Sequence, residues 1–131
     1  MEKFELSKLE YPAMREELIS YLEGLSSVDY QYNAWVSRAN PDIGYDEFNY
    51  AVHFLYDDTD LANDPRSWIG IVLRGESEVA AISDVVNSID RVFDKYGTCL
   101  TDAEYLTKPE WVDVVESSKR ALIIFSQMLS F

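Results

Sequence analysis

Cysteine, glycine, proline and histidine are all scarce in this chain. Its 131 residues include one Cys, one His, five Gly and four Pro. A lone cysteine, Cys99, excludes an internal disulfide and any cysteine-rich metal site, and suits a reducing compartment. With so few turn residues, most of the chain should be regular structure, and no repeat, low-complexity stretch or flexible linker interrupts it. Long hydrophobic runs are missing too. The segment ALIIF is far too short to cross a bilayer, and the opening MEKFELSKLEYP lacks the apolar stretch of a signal peptide. These absences lead to the expectation of a cytoplasmic protein that does not associate with membranes. The 11 basic residues are few and scattered, so no footprint for nucleic acid is present.

What is abundant is acid. Lys and Arg together number 11 against 24 Asp and Glu, giving a net charge of −13 and a sequence pI near 4.3. A field of that sign repels polyanions and anionic membrane and attracts basic partners. At 47% hydrophobic residues the chain is apolar enough to fold, and its length suits one domain spanning residues 1–131. The charge is uneven. YDEFNYAVHFLYDDTDLANDP, residues 45–65, holds six acids, five large aromatics and no Lys or Arg. Residues 1–44 have a net charge of −4 and residues 66–131 one of −3.

Apolar spacing predicts a compact all-α bundle of five to seven helices. Pro12 suits a first turn, with Leu18, Ile19, Leu22 and Leu25 on one side and Gly24 near the end. Ser26 with Asp29 resembles a capping box for a short helix through Val36. The segment from Arg38 to Gly44 reads as a loop. A third helix is expected from Tyr45 to Tyr56, with Phe48, Ala51, Val52 and Leu55 inward. Asp64-Pro65 should open another turn or two through Trp68 and Ile71, although WIGIVL also fits a short strand. Ser77–Tyr96 is the clearest helix, stopped by Gly97. Thr101 with Glu104, and Thr107 with Glu110, read as capping boxes. The second of these opens a last helix carrying Trp111, Val114, Val115, Leu122, Phe125, Met128 and Leu129 on one side, with Ile123 and Ile124 widening its apolar surface. That surface suits a central position or cover by a second subunit.

On helical geometry, Asp46, Tyr50, His53 and Asp57 fall on one side of the third helix, opposite its apolar face. Glu47, Phe54 and Asp58 flank them, and Asp60 and Asp64 come next. Rings supply contact area while carboxylates steer and pair with Lys or Arg, so Asp46, Tyr50, His53, Asp57, Asp58 and Asp60 form a candidate surface for a basic protein partner. Two other readings compete. The rings can be ordinary helix-packing residues with the acids solvated. Alternatively, His53, Asp57, Asp58 and Asp60 can serve a small metal-dependent hydrolase. The lone His and the Asp run lack both the spacing of helical metal sites and the EF-hand pattern, so no metal and no cofactor is expected. No nucleophile elbow or phosphate loop occurs. Cys99 reads as structural, and Trp35, Trp68 and Trp111 as core anchors, with Trp68 also placed to border the acidic surface.

The stretch HFLYDDTDLANDP, with Ile69-Gly70 and the Ser77–Tyr96 helix after it, resembles a family of small, acidic, helical bacterial proteins, some of which resemble immunity proteins encoded beside polymorphic or contact-dependent inhibition toxins. The resemblance covers residues 11–125 and marks no catalytic residue. It implies an all-α fold, a cytoplasmic bacterial protein, and a cognate toxin domain as partner; the acidic charge makes a nuclease, whose cleft must hold a polyanion, the expected kind. The expectation is therefore a non-enzymatic toxin inhibitor. The alternatives are the hydrolase and a homodimeric regulatory or adaptor protein paired through ALIIFSQML of the C-terminal helix.

Overall fold

The structure, a computed structural model, describes residues 5–37 and 46–127. Among these residues there are six α-helices and no strands, an all-α fold. They are α1 (Pro12–Leu25), α2 (Val28–Gln31), α3 (Phe48–His53), α4 (Glu76–Tyr96), α5 (Asp102–Leu106) and α6 (Trp111–Ser126). Two π-helical turns, Tyr32–Ser37 and Phe54–Asp58, extend α2 and α3. Among the described residues no helix is long and apolar enough to cross a membrane.

Three long helices make the frame. The α4 face formed by Val79, Ile82, Val85, Val86, Ile89 and Val92 is buried against the inward side of α6, where Trp111, Val114, Ala121 and Phe125 lie. Ser88 and Ser117 share a hydrogen bond of 2.8 Å where the two helices meet, since small side chains allow close approach there. Leu18, Leu22 and Leu25 of α1 are fully buried and complete the layer. Directions are fixed by the contacts at the two ends. Glu110, at the entry to α6, takes hydrogen bonds from Lys95 and Tyr96 at the end of α4. The carbonyl of Phe125, at the end of α6, meets side chains bound to Glu78 at the start of α4. α6 is thus antiparallel to α4, and Arg15 near the start of α1 reaches the same Phe125 carbonyl, so α1 runs with α4.

A buried ion network holds one end of this frame. The Arg15 guanidinium donates to both carboxylate oxygens of Glu78, at 2.8 and 2.9 Å, and to the Val72 carbonyl at 2.9 Å. It also lies over the Phe125 ring at 4.7 Å. Arg74 donates to Glu78 from its backbone N–H and from Nε, both at 2.8 Å. The three side chains are only 5%, 1% and 3% exposed for Arg15, Glu78 and Arg74, so water does not screen them. Burial alone would push the Glu78 carboxyl up, but two guanidiniums and the Arg74 N–H outweigh it and hold the group below its ordinary value of 4.5. At the other end of the frame, Gln31 is fully buried. Its amide donates to the Gly24 and Leu25 carbonyls and its oxygen accepts from Trp111 Nε1 at 3.0 Å. Every polar atom of that buried amide group has a partner of the right kind.

Several local expectations shift. Ser27, not Ser26, caps α2, accepting from the Tyr30 N–H, while Ser26 bonds back to Glu23 at the end of α1. The third helix begins at Phe48; the loop from Arg38 to Gly44 and Tyr45 lie outside the described residues. Pro65–Trp68 is a single 3-10 turn, and Ile69–Leu73 is neither helix nor strand. It is a tight turn closed by the Gly70 N–H on the Leu73 carbonyl, with Gly70 at φ 88° in the left-handed region. The Thr101–Glu104 capping box forms. The Thr107 box does not: Thr107 ends α5, and the Glu110 carboxylate is drawn to Lys95 and Tyr96 instead. α4 and its stop at Gly97, φ 80°, agree with the apolar spacing. α6 ends at Ser126, with Met128 and Leu129 outside the described residues.

Removing the Glu78 charge should be the most damaging single change to this frame. Glu78→Gln leaves two guanidiniums buried without a carboxylate, at a cost of about 3–5 kcal/mol in denaturant unfolding at neutral pH. Because folding depresses this carboxyl, its contribution is complete above the ordinary value and is lost as pH falls through the lower folded-state value. The stability gap between wild type and Glu78→Gln should therefore narrow below pH 4.5. A gap that stays constant through that range would refute the assignment.

Candidate functional site

The acidic-aromatic segment becomes α3, the π turn after it, and the loop to Pro65. Phe48 opens α3 as the hub of an aromatic cluster. Its ring lies 4.9 Å from Trp111, 5.5 Å from Tyr105, and 5.8 Å from both Trp35 and Phe93. The Phe48 N–H is capped by Asp102 of α5 at 3.1 Å. Ala51 and Leu55 are buried as the apolar spacing requires, and Phe54 joins them at 3% exposure, packed near Tyr21. The flank assigned to Phe54 is therefore interior. The inward face is wider than the apolar spacing suggests, because Tyr21 of α1 packs over Phe54 with ring centroids 5.0 Å apart.

Thr59 explains the DDTD run. Its hydroxyl, buried with the rest of the residue, donates to the Phe54 carbonyl at 2.8 Å and accepts from the Leu61 N–H. It ends the π turn and sends Leu61 back into the core, leaving Asp57, Asp58 and Asp60 exposed on either side of it.

The six candidate contact residues do not behave alike. Tyr50 is 41% exposed. His53 Nδ1 lies 2.6 Å from Asp57 Oδ2, with side-chain exposures of 56% and 62%. Tyr50, His53 and Asp57 thus share an outward side of one helix, with Asp58 and Asp60 exposed just beyond. Asp46 is different. It lies before the helix starts and is half-buried. One oxygen accepts from Tyr30 Oη at 2.6 Å and from Trp35 Nε1 at 3.1 Å. The other accepts from the Glu47 N–H at 2.8 Å. Burial, and then this hydrogen bond, push the Tyr30 phenol well above its ordinary value. Asp46 therefore anchors the entry to α3 to the region of α2. The expectation that it stands in the outward stripe fails because the helix begins two residues later.

A cleft of about 600 Å³ lies beside the aromatic cluster. Phe48, Phe93 and Tyr105 form its floor, and Glu47, Asn49, Thr98 and Cys99 its rim. Cys99 is an exposed free thiol, which corrects the reading of it as structural. Trp35 and Trp111 are core residues, whereas Trp68 is only partly buried. Among the described residues, no group of three or more His, Cys, Asp or Glu side chains is arranged to hold a metal ion. Glu110, half-buried at the entry to α6, carries a strongly altered carboxyl. Hydrogen bonds from Lys95 and Tyr96 lower it to about 2. Nothing in the sequence spacing of these residues, 14 and 15 positions apart, points to it.

The acids divide into one that holds the fold and three that do not. Asp46→Ala should cost about 1–3 kcal/mol by orphaning the Tyr30 and Trp35 donors. Asp57→Ala, Asp58→Ala and Asp60→Ala should each stay within about 0.5 kcal/mol of wild type, the solvated His53–Asp57 pair contributing no more than about 0.5 kcal/mol. Urea titration of the four variants checks this, and equal costs at Asp46 and Asp57 would contradict it.

No curated protein and no solved structure matches this chain. Residues 9–128 match the family model described as Domain of unknown function (DUF7945), and the chain belongs to that family.

Proposed function

We propose that this protein is a non-enzymatic binding protein, an immunity protein that neutralises a bacterial toxin domain in the cytoplasm by covering a basic surface. The observation that carries the reading is the exposed stripe of Tyr50, His53, Asp57, Asp58 and Asp60 on a segment with six acids and no base. A nuclease must hold a polyanion, so its cleft is basic. A strongly acidic protein with a ring at the centre of its charged stripe can occupy such a cleft and exclude the substrate. Tyr50 and the His53 ring supply contact area, and the three aspartates pair with Lys or Arg. Asp46 supports this surface from within, fixing where α3 begins.

Electrostatic attraction of this kind acts mainly on the association rate and weakens with salt. The test is made with the product of the adjacent reading frame as the probe, or with a toxin domain recovered by pull-down from the source cell. Asp57→Lys with Asp58→Lys should slow association by about tenfold or more at low salt, with the melting temperature unchanged. Their unaltered association with a captured toxin would overturn the assignment of this surface. The absence of any basic partner from both sources would overturn the immunity reading itself.

A further inference from the structure

The outward face of α6 has a symmetry that neither its burial nor the acidic stripe requires. Val112 and Ile123 are the most exposed large hydrophobic residues among those described, at 61% each. They are 11 positions apart, three turns of helix, so they stand on the same side about 16 Å from each other. Between them on that side lie Glu116 and Lys119, both about half exposed and already 3.4 Å apart within the chain. The inward side, Val114, Ser118, Ala121 and Phe125, is sealed against α1 and α4. Val112, Glu116, Lys119 and Ile123 are therefore a surface row: apolar, acidic, basic, apolar.

This row is its own complement when reversed. An identical helix laid antiparallel across it, with the two-fold axis between Ser117 and Ser118, sets Val112 against Ile123 of the second copy and Glu116 against its Lys119. Both pairings then occur twice, as an isologous contact demands. Asp113 and Arg120, one position round the helix, repeat the relation approximately. Charge favours the same site. α6 carries Asp113 and Glu116 against Lys119 and Arg120 and is neutral, whereas the chain as a whole is −13. α1 and α4 each carry more acids than bases, so two copies meet with least repulsion along α6. A basic partner has no reason to select a neutral row.

We propose that α6 is a self-association surface, through which two copies pair antiparallel across Val112, Glu116, Lys119 and Ile123. One helix face buries less than a standard stable interface, so the dimer is a weak one that forms between micromolar and millimolar concentrations. It shares no residue with the acidic stripe.

Sedimentation equilibrium of the full chain across that range reads the association. Wild type should fit a monomer–dimer equilibrium. Ile123→Glu should weaken it by about tenfold or more. Glu116→Lys and Lys119→Glu should each weaken it, because each places like charges together twice, while the double exchange Glu116→Lys with Lys119→Glu should restore it. All four positions are solvent-exposed, and circular dichroism confirms that each variant is folded. A wild-type monomer throughout, or a double exchange no stronger than either single reversal, would overturn the proposal.

Discussion

The arrangement of the three long helices depends on one carboxylate held between two guanidiniums. Glu78 sits in the first turn of α4, Arg15 in the first turn of α1, and Arg74 in the turn that precedes α4. Two positive charges meet one negative, and the remainder is taken by main-chain oxygen. Arg15 and Arg74 both reach the Phe125 carbonyl, and Arg74 reaches that of Ile124. These carbonyls lie at the C-terminal end of α6, where the helix dipole is negative and the last carbonyls lack intrahelical partners. The cluster thus joins the starts of two helices to the end of a third. Against well-packed apolar side chains such a cluster contributes little net stability. Its effect is selective: sliding α6 or α1 by one turn would strand a charge in a dry interior, so packings that differ in register are penalised far more than the native one is favoured.

With that end fixed, the far end is set by a neutral device. Gln31 carries α1 to α6 through the Gly24 and Leu25 carbonyls and the Trp111 indole. Trp111 in turn meets Phe48, whose position sets the start of α3. The acidic stripe is therefore oriented through a chain of buried contacts that begins in the helical frame. Asp46 is its last link, tying the residues before α3 to Tyr30 and Trp35.

What could be read from the sequence was what is local. α4 shows a strict three-and-four spacing, a glycine stop and a neighbouring capping box, and all three form as the pattern dictates. The apolar side of α6 was equally plain. The ion network was not legible, because Arg15 and Glu78 are 63 positions apart and nothing in their surroundings distinguishes them from surface charges. Glu110 misled in the same way: its place in a capping pattern was real, but Lys95 and Tyr96 offered a stronger charge-assisted contact. Within the candidate site the errors came from a helix boundary and from a neighbour. Asp46 was placed by starting a helix three residues too early. Phe54 was set on the outward flank, but Tyr21 of α1, which no local pattern brings to it, packs over it.

The net charge of −13 and the stripe are separate physical causes, and the difference matters for function. At physiological ionic strength interactions between exposed charges fade beyond about 8 Å. The acids of α1 and α4 therefore repel anions in general, but they do little for a partner docked elsewhere. Only groups within a few ångströms of a partner discriminate, and under the proposed binding mode these would be Asp57, Asp58 and, just beyond the π turn, Asp60, beside the Tyr50 and His53 rings. Thr59 is what brings the aspartates there. By taking the hydrogen bonds that close the π turn, it lets the main chain reverse tightly enough for Leu61 to be buried while the acids on either side stay in water. A buried hydroxyl with two satisfied hydrogen bonds thus sets the local density of negative charge, and composition alone would have assigned that role to the acids.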